Sequence, residues 1–116
     1  MNIKANKELL KIVFINLIKN AYDSIHMKGD IIVRTKLNKK YKLNKKNFII
    51  IEIIDNGKGI SESDIKKLFK PFFTTKKSGQ GIGLFISQKI INKFDGYIEA
   101  ACINKETIFT VYLPEN

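Results

Sequence analysis

The sequence contains very few of the residues from which many functional sites are built. Its 116 residues include one cysteine and one histidine, which is too few for a zinc site made of such ligands. Cys102 has no disulfide partner in the chain, and its apolar neighbours predict a buried, reduced thiol. No apolar run reaches the length of a membrane span, and the opening residues MNIKANKELLK lack the hydrophobic centre of a signal peptide. We therefore expect one cytoplasmic domain that makes no membrane contact itself.

Arginine is scarce as well, although the chain is strongly basic. Its net charge is +10, from 21 basic and 11 acidic residues, and such a charge favours anionic partners. Six of the lysines lie in residues 36–46, and Arg34 is the only arginine, whereas surfaces that read bases favour arginine. We interpret residues 36–46 as a strand end and a solvated hairpin loop, and we expect no nucleic-acid partner. A basic nucleic-acid-binding module is the alternative.

The spacing of apolar residues predicts the order of the secondary structure. From Lys7 to Met27 they recur three or four positions apart, which indicates a helix that Gly29 ends. Ser61 caps a short helix to about Phe69. The other predicted elements are strands at 31–35 and 48–54, a helix at 82–94, and strands at about 97–103 and 107–113.

This order is typical of one α+β domain covering residues 1–116, with an antiparallel-rich sheet and helices packed on one face. The strand at 48–54 is apolar enough to be central. Residues 72–81 carry small, polar and glycine residues after two phenylalanines, and we expect them to be the most mobile part of the chain without a ligand.

Two asparagines interrupt the first helix. Asn16 and Asn20 are four residues apart, so both amides project from one side of the helix. They are either surface amides or neutral oxygen ligands for a hard cation, since Mg²⁺ in nucleotide sites takes one or two protein oxygens and fills its shell with phosphates and water.

An acid and two glycines follow the apolar strand FIIIEII. Asp55 is either a turn-forming residue or a carboxylate at the floor of a pocket, where it accepts a hydrogen bond from an exocyclic amine such as that of adenine. Gly57 and Gly59 would let a flat ring lie close to the backbone. Ile60 would provide an apolar wall.

The stretch GQGIGL places three glycines at the start of a predicted helix. The N-terminus of a helix offers unpaired N–H groups to phosphates, although alternating glycines alone often form only a flexible turn. Thr74, Thr75 and Lys76 precede this stretch and could add hydroxyls and a cation.

Four motifs in this order resemble the catalytic domain of sensor histidine kinases, most closely the sporulation- and nitrogen-regulation-type kinases. They are NLIKNA (16–21), DNGKGI (55–60), LFKPFFTTK (68–76) and GQGIGL (79–84). The resemblance implies the Bergerat-type fold shared with gyrases, heat-shock chaperones and mismatch-repair ATPases. That fold is a two-layer α/β sandwich with a mixed, mostly antiparallel sheet of about four to five strands and three helices on one face.

The resemblance also implies roles for individual residues. Asn20 would hold Mg²⁺ with Asn16 supporting it, and both count as catalytic. Asp55 would bind adenine, with Thr107 behind it. Residues 70–81 would form a lid over ATP. The other residues implied in nucleotide binding are Asp23, Gly57, Gly59, Ile60, Phe69, Phe73, Thr74, Thr75, Lys76, Gly79, Gly81, Ile82, Gly83 and Leu84.

Two positions depart from the family pattern. Glu106 stands where a glycine usually precedes the threonine, so the last turn is expected to differ in shape. Asp23 stands where many members carry a lysine or arginine for phosphate, and an acid there resembles the sporulation-like branch.

The resemblance implies a protein kinase that needs ATP and Mg²⁺ and phosphorylates a histidine. The only histidine, His26, is followed by Met27 rather than by the acid typical of a phosphoacceptor. We therefore expect a catalytic domain, monomeric by itself, whose phosphoacceptor and dimerisation helices are absent from this chain and which serves a response regulator indirectly. The full-length protein could be membrane-anchored. A stand-alone anti-sigma-type serine kinase is the alternative within this fold.

Overall fold

The computed structural model describes residues 3, 5–43, 46–71, 73 and 82–115. None of the helices within these residues is both long and apolar enough to cross a bilayer. The elements are helix α1 (Lys7–Ser24), strands β1 (Ile31–Leu43) and β2 (Lys46–Asp55), helices α2 (Glu62–Ile65) and α3 (Gly83–Lys93), and strands β3 (Tyr97–Ile103) and β4 (Glu106–Pro114).

The four described strands form one open sheet in the order β1-β2-β4-β3, and every neighbouring pair is antiparallel. The predicted fold class is confirmed: an α+β sandwich with helices on one face and with β2 as a central strand. No parallel pair occurs among these four strands. Helices α1 and α3 share a core with the inner strands, and Ile65 of α2 packs against it. The core residues include Val13, Leu17, Ala21, Ile49, Ile51, Ile53, Ile91, Ile98, Phe109, Val111 and Leu113.

Helix α1 ends earlier than its apolar spacing predicts. Asn6 caps its start by accepting hydrogen bonds from the N–H groups of Glu8 and Leu9, at 2.9 and 3.2 Å. The last helical residue is Ser24, not Met27, and Ile25 is already extended. The Ser24 carbonyl accepts a hydrogen bond from the N–H of Lys58 at 3.1 Å. The helix therefore ends at Ser24, because the N–H of a residue in a loop, and not one from a further helical turn, bonds to the Ser24 carbonyl.

Strand β1 is longer than predicted. It runs to Leu43 and pairs with β2 from Ile31↔Asp55 to Asn38↔Phe48. Residues 36–46 were interpreted as a strand end and a solvated hairpin loop; the strand part is confirmed, but the loop is much shorter than expected, because residues 36–43 belong to β1 and Lys46 to β2. Leu37 packs against the core, while Lys36 Nζ lies 3.6 Å from Glu52 Oε1 on the neighbouring strand β2. This alternation of inward and outward side chains is the period of a strand.

Helix α2 is shorter than predicted. Ser61 is its N-cap, as expected, and its hydroxyl accepts a hydrogen bond from the N–H of Asp64 at 3.2 Å. The helix ends at Ile65. The chain then continues in turns with hydrogen bonds between residues three apart, such as the one from the N–H of Lys70 to the carbonyl of Lys67 at 3.0 Å.

The last strands form a tight hairpin. Ile103 pairs with Glu106, and the two residues between them, Asn104 and Lys105, have φ values of 51° and 66°. Two positive φ values in a two-residue loop are typical of a type I′ turn, which suits the twist of a hairpin. Glu106 thus begins β4, and Asn104 and Lys105 make the turn that a glycine would otherwise help to form.

Candidate functional site

The strand β2 delivers a carboxylate to the helix-covered side of the sheet. Asp55 is its last residue and lies between Ile31 of β1 and Thr107 of β4. Because side chains alternate along a strand, it shares a face with Ile51 and Ile53 of the core. Asp55 is only 2% exposed. The chain therefore holds an acid in a sheltered position, where a single hydrogen bond to a ligand would count for more than in water.

The glycine loop after Asp55 folds back onto the end of α1. The N–H of Gly57 donates to Asp55 Oδ1 at 3.0 Å. A Cβ at Gly57 would overlap the hydroxyl and carbonyl of Ser24, whereas Gly59 has open space around it but a left-handed φ of 76°. Contact with α1 therefore requires the first glycine, and the backbone conformation favours the second. That both glycines also make room for a ring stays a prediction.

Two side chains from the last hairpin lie behind this loop. Thr107 is 3% exposed and sits beside Asp55 in the sheet, at the position expected for it. Cys102 is exposed, so the prediction of a buried thiol was wrong. Its position near the end of the edge strand β3 leaves it outside the helix-covered core. Its Sγ accepts a hydrogen bond from the N–H of Ile60 at 3.3 Å and lies 3.4 Å from Thr107 Oγ1.

Three polar residues follow one side of α1 at intervals of four: Asn16, Asn20 and Ser24. Four residues advance a helix by about 6 Å, so the three positions span about 12 Å. Ser24 Oγ donates to Asp55 Oδ1 at 3.1 Å, which places Asn20 about one turn from the acid. The two side chains therefore do not lie on opposite sides of the molecule. Asn20 is half-buried and Asp23 is exposed.

Asn16 connects this side of α1 to α3. Its Nδ2 donates to the Gly83 carbonyl at 3.4 Å and to Ser87 Oγ at 3.3 Å. Ser87 is fully buried. Sequence reasoning missed both Ser24 and Ser87. Ser24 could have been found, since it continues the four-residue spacing of the asparagines, and Ser87 lies four residues after Gly83 on the same helix.

The N-terminus of α3 lies at the Asn16 end of this row. Its N-cap residue, Ile82, provides no side-chain hydrogen bond, and the first turn contains no acid. Within the described part of the chain, no side chain of this helix caps its first N–H groups, and no acid in its first turn offsets the positive end of the helix dipole. Gly83 lies against Asn16, and Leu84 packs on the core.

The segment leading to the predicted lid is anchored to the core by aromatic rings. Phe69 contacts Phe109 of β4 edge to face, with ring centroids 6.5 Å apart. Phe73 is also packed against the core. The remaining residues expected in the lid or at the phosphates lie outside the described residues; they are Thr74, Thr75, Lys76, Gly79 and Gly81. The expectation that residues 72–81 are mobile falls on the same stretch and stays a prediction.

An open depression of about 690 Å³ lies at the glycine loop. Residues 56–61, Cys102 and Lys105 line it, whereas Asp55, Asn16 and Asn20 are not among its lining residues. It therefore lies at the loop that follows Asp55 and not at the α3 end of the row. A ligand spanning both ends would be elongated, with a hydrogen-bonding group at Asp55 and anionic groups near α3.

The sequence profile of one protein family matches residues 5–116, and the family is described as histidine kinase-, DNA gyrase B- and HSP90-like ATPase. The chain is 44% identical over 115 residues to the signal transduction histidine-protein kinase AtoS of Escherichia coli K12. It is 38% identical over 106 residues to sporulation kinase E of Bacillus subtilis. These matches cover 98% and 90% of the chain but only 18% and 14% of the two relatives.

Solved structures agree with this likeness. The catalytic domain of histidine kinase ThkA, in a nucleotide-free form, superimposes with a TM-score of 0.82 at 29% identity, covering 97% of this chain and 71% of that one. The Acinetobacter baumannii histidine kinase AdeS gives a TM-score of 0.73 at 28% identity, covering 96% of this chain and 48% of that one.

Proposed function

We propose that this chain transfers the γ-phosphoryl group of Mg-ATP to a histidine on a separate dimerisation domain. The proposal starts from its family: the chain belongs to the histidine kinase-, DNA gyrase B- and HSP90-like ATPases, as an ATP-binding catalytic domain of the sensor histidine kinase type. Its partner is then a helix hairpin that carries the phosphoacceptor, and a response regulator receives the phosphoryl group afterwards.

The observation that carries this proposal is the row from Asp55 through Asn20 to the N-terminus of α3. The sheltered Asp55 carboxylate accepts hydrogen bonds, so it suits the exocyclic amino group of adenine. The first N–H groups of α3, which no described side chain of that helix caps, suit the phosphates at the other end. The base and the phosphates of one nucleotide would thus lie along the same side of α1.

The residues present also fit a magnesium ion. Asn20 offers a neutral amide oxygen between the acid and α3, and Mg²⁺ in nucleotide sites takes few protein ligands because phosphates and water complete its shell. When bound, the ion neutralises charge on the phosphate oxygens. Asn16 would keep α3 against α1, so that the phosphate-binding helix end stays beside Asn20.

The amide of Asn16 favours transfer to a nitrogen over hydrolysis, because an amide cannot take a proton from an attacking water. Its Nδ2 donates two hydrogen bonds to α3, which a carboxylate at this position could not do. A neutral imidazole has a free lone pair at pH 7 and needs no base. A nitrogen–phosphorus bond forms while the bond from the γ-phosphorus to the bridging oxygen breaks, and ADP leaves. Positioning and charge neutralisation then do most of the catalytic work.

Calorimetric titration of ATP, ADP and GTP with and without Mg²⁺ tests the nucleotide site. We expect the chain to bind ATP in preference to GTP, and we expect Mg²⁺ to strengthen the binding of ATP. Asp55→Asn should weaken ATP binding by about tenfold or more and remove the preference over GTP, because the amide no longer presents acceptors only. Binding of ATP and GTP with equal affinity by the unmodified chain would contradict the proposal.

A stand-alone serine kinase of the same fold is the second candidate. The amide at position 16 disfavours it, since that position normally carries an acid in such kinases. Incubating the chain with a sigma-antagonist protein and labelled ATP distinguishes the two, because phosphoserine survives acid treatment and phosphohistidine does not.

A further inference from the structure

Ser24 stands between the end of α1 and the candidate base site. Its hydroxyl donates to Asp55 Oδ1 at 3.1 Å and accepts from the N–H of Lys58 at 3.2 Å. One side chain therefore touches both the acid and the loop that follows it. The hydroxyl has one proton and two lone pairs, so both bonds can exist together.

The two oxygens of Asp55 are in different situations. Oδ1 accepts two hydrogen bonds, from Ser24 Oγ and from the N–H of Gly57 at 3.0 Å. In the part of the chain that the structure describes, no donor is bonded to Oδ2. Rotating the carboxylate would break both bonds to Oδ1, so these bonds fix which oxygen is left for a ligand.

We propose that Ser24 is a positioning residue that sets the choice of purine. It holds Asp55 so that Oδ2 alone meets the substituent at C6 of the base. This inference rests on the proposed nucleotide site. The amino group of adenine donates to Oδ2, whereas the C6 carbonyl of guanine or hypoxanthine would place two acceptors against each other.

Without the Ser24 hydroxyl, Gly57 alone would hold Oδ1, and the carboxylate could turn or take a water. A carboxylate that has turned or taken a water accepts a weaker hydrogen bond from the amino group of adenine. The same carboxylate also repels the C6 carbonyl of guanine less strongly. The loss therefore lowers affinity for ATP and narrows the preference over GTP at the same time.

A matched control separates this role from simple support of the loop. Asn56 Oδ1 accepts from the N–H of Asp30 at 2.7 Å and so ties the same loop to the chain before β1. Its side chain makes no hydrogen bond to Asp55 among the described residues. Asn56→Ala therefore loosens the loop while leaving both bonds to Oδ1 in place.

The experiment is calorimetric titration of ATP, GTP and inosine triphosphate into the unmodified chain, Ser24→Ala, Ser24→Cys and Asn56→Ala, each checked for folding by circular dichroism. Inosine triphosphate isolates the C6 substituent, because hypoxanthine has the carbonyl but lacks the C2 amino group of guanine. We expect Ser24→Ala to bind ATP about tenfold more weakly, and we expect its preference for ATP over GTP and over inosine triphosphate to fall by a similar factor. A tenfold loss is about what breaking one hydrogen bond to a charged group costs. Asn56→Ala should weaken all three ligands alike and keep the ratios.

Unchanged ratios in Ser24→Ala would overturn the proposal while leaving the nucleotide site intact. If Ser24→Ala does not fold, Ser24→Cys decides, since its weaker thiol donor should narrow the ratios partway and unchanged ratios would again count against the role. If the unmodified chain bound no ATP, the proposed function itself would fail, and the role of Ser24 with it.

Discussion

Asn16 and Asn20 lie one helical turn apart on α1, but their surroundings assign them different tasks. The Nδ2 of Asn16 is bonded to two atoms of α3, so this side chain fastens one helix to the other. Asn20 lies between that fastening and the Ser24–Asp55 contact. Of the two amides it is the one to which the proposed function gives the metal ion.

Replacing Asn20 tests this assignment. We expect Asn20→Ala to bind adenosine nearly as well as the unmodified chain and to lose the part of ATP affinity that depends on Mg²⁺, because the amide oxygen proposed to hold the metal ion is removed. Titrations of adenosine and of ATP with and without Mg²⁺ measure both quantities. Lys19→Ala is the matched control, since Lys19 is an exposed neighbour on the same helix. An equal loss for adenosine and Mg-ATP would instead indicate that α1 has unfolded.

At the residue scale, the sequence predicted groups with a motif and missed groups without one. Asp55 and Thr107 lie side by side in the sheet as expected. Ser24 was missed although it continues the four-residue spacing of Asn16 and Asn20, and Ser87 was missed because a single serine within a helix has no local signature. Their partners, Asp55 and Asn16, are 31 and 71 residues away along the chain. Cys102 was wrongly predicted as buried because its apolar neighbours do not reveal that β3 is an edge strand.

At the scale of elements, the errors occurred where tertiary contacts outweigh local pattern. The apolar spacing of α1 continues beyond Ser24, yet the loop at Lys58 takes over the helix carbonyl. The lysines of β1 suggested a loop, although Leu37 marks the inward side of a strand. The inner strands and α3 were predicted well. The isoleucines of β2 are buried along its length, β4 alternates between buried and half-buried residues, and the apolar residues of α3 follow a helical spacing.

The hairpin between β3 and β4 offers a test at this scale. Lys105 has a φ of 66°, and a left-handed conformation costs a residue with a Cβ about 1–2 kcal/mol. Lys105→Gly removes this cost but adds about 0.5–1 kcal/mol of backbone entropy loss on folding. We expect a net gain in the free energy of unfolding of about 0.5–1 kcal/mol, measured by urea denaturation.

Lys105→Ala is the control for this hairpin, because it removes the same charged side chain and keeps the Cβ. It should show no gain in stability. An equal gain in both variants would mean that the side chain, and not the backbone conformation, limits the stability of this turn.

At the scale of the whole molecule, the described residues contain the proposed nucleotide site but offer no acceptor of the expected kind. His26 is exposed just after α1 and is followed by Met27, which is exposed with a φ of 48°. A phosphoacceptor histidine must present its ring nitrogen to the γ-phosphate. Holding the two reacting groups in this arrangement lowers the barrier to transfer by several kcal/mol. We therefore expect ATP binding by the chain alone and phosphoryl transfer only when an acceptor is supplied.

The test of this division is incubation with γ-labelled ATP and Mg²⁺, with and without a helix hairpin that carries a phosphoacceptor histidine. We expect an acid-labile label on the hairpin alone, and none when its histidine is replaced by glutamine or when the chain carries Asp55→Asn. Fusing the hairpin to the chain should speed the labelling, because a linker raises the effective concentration of the acceptor to the millimolar range. Labelling of the chain at His26 without the hairpin would contradict the division of roles, since it would place an acceptor within the catalytic domain itself.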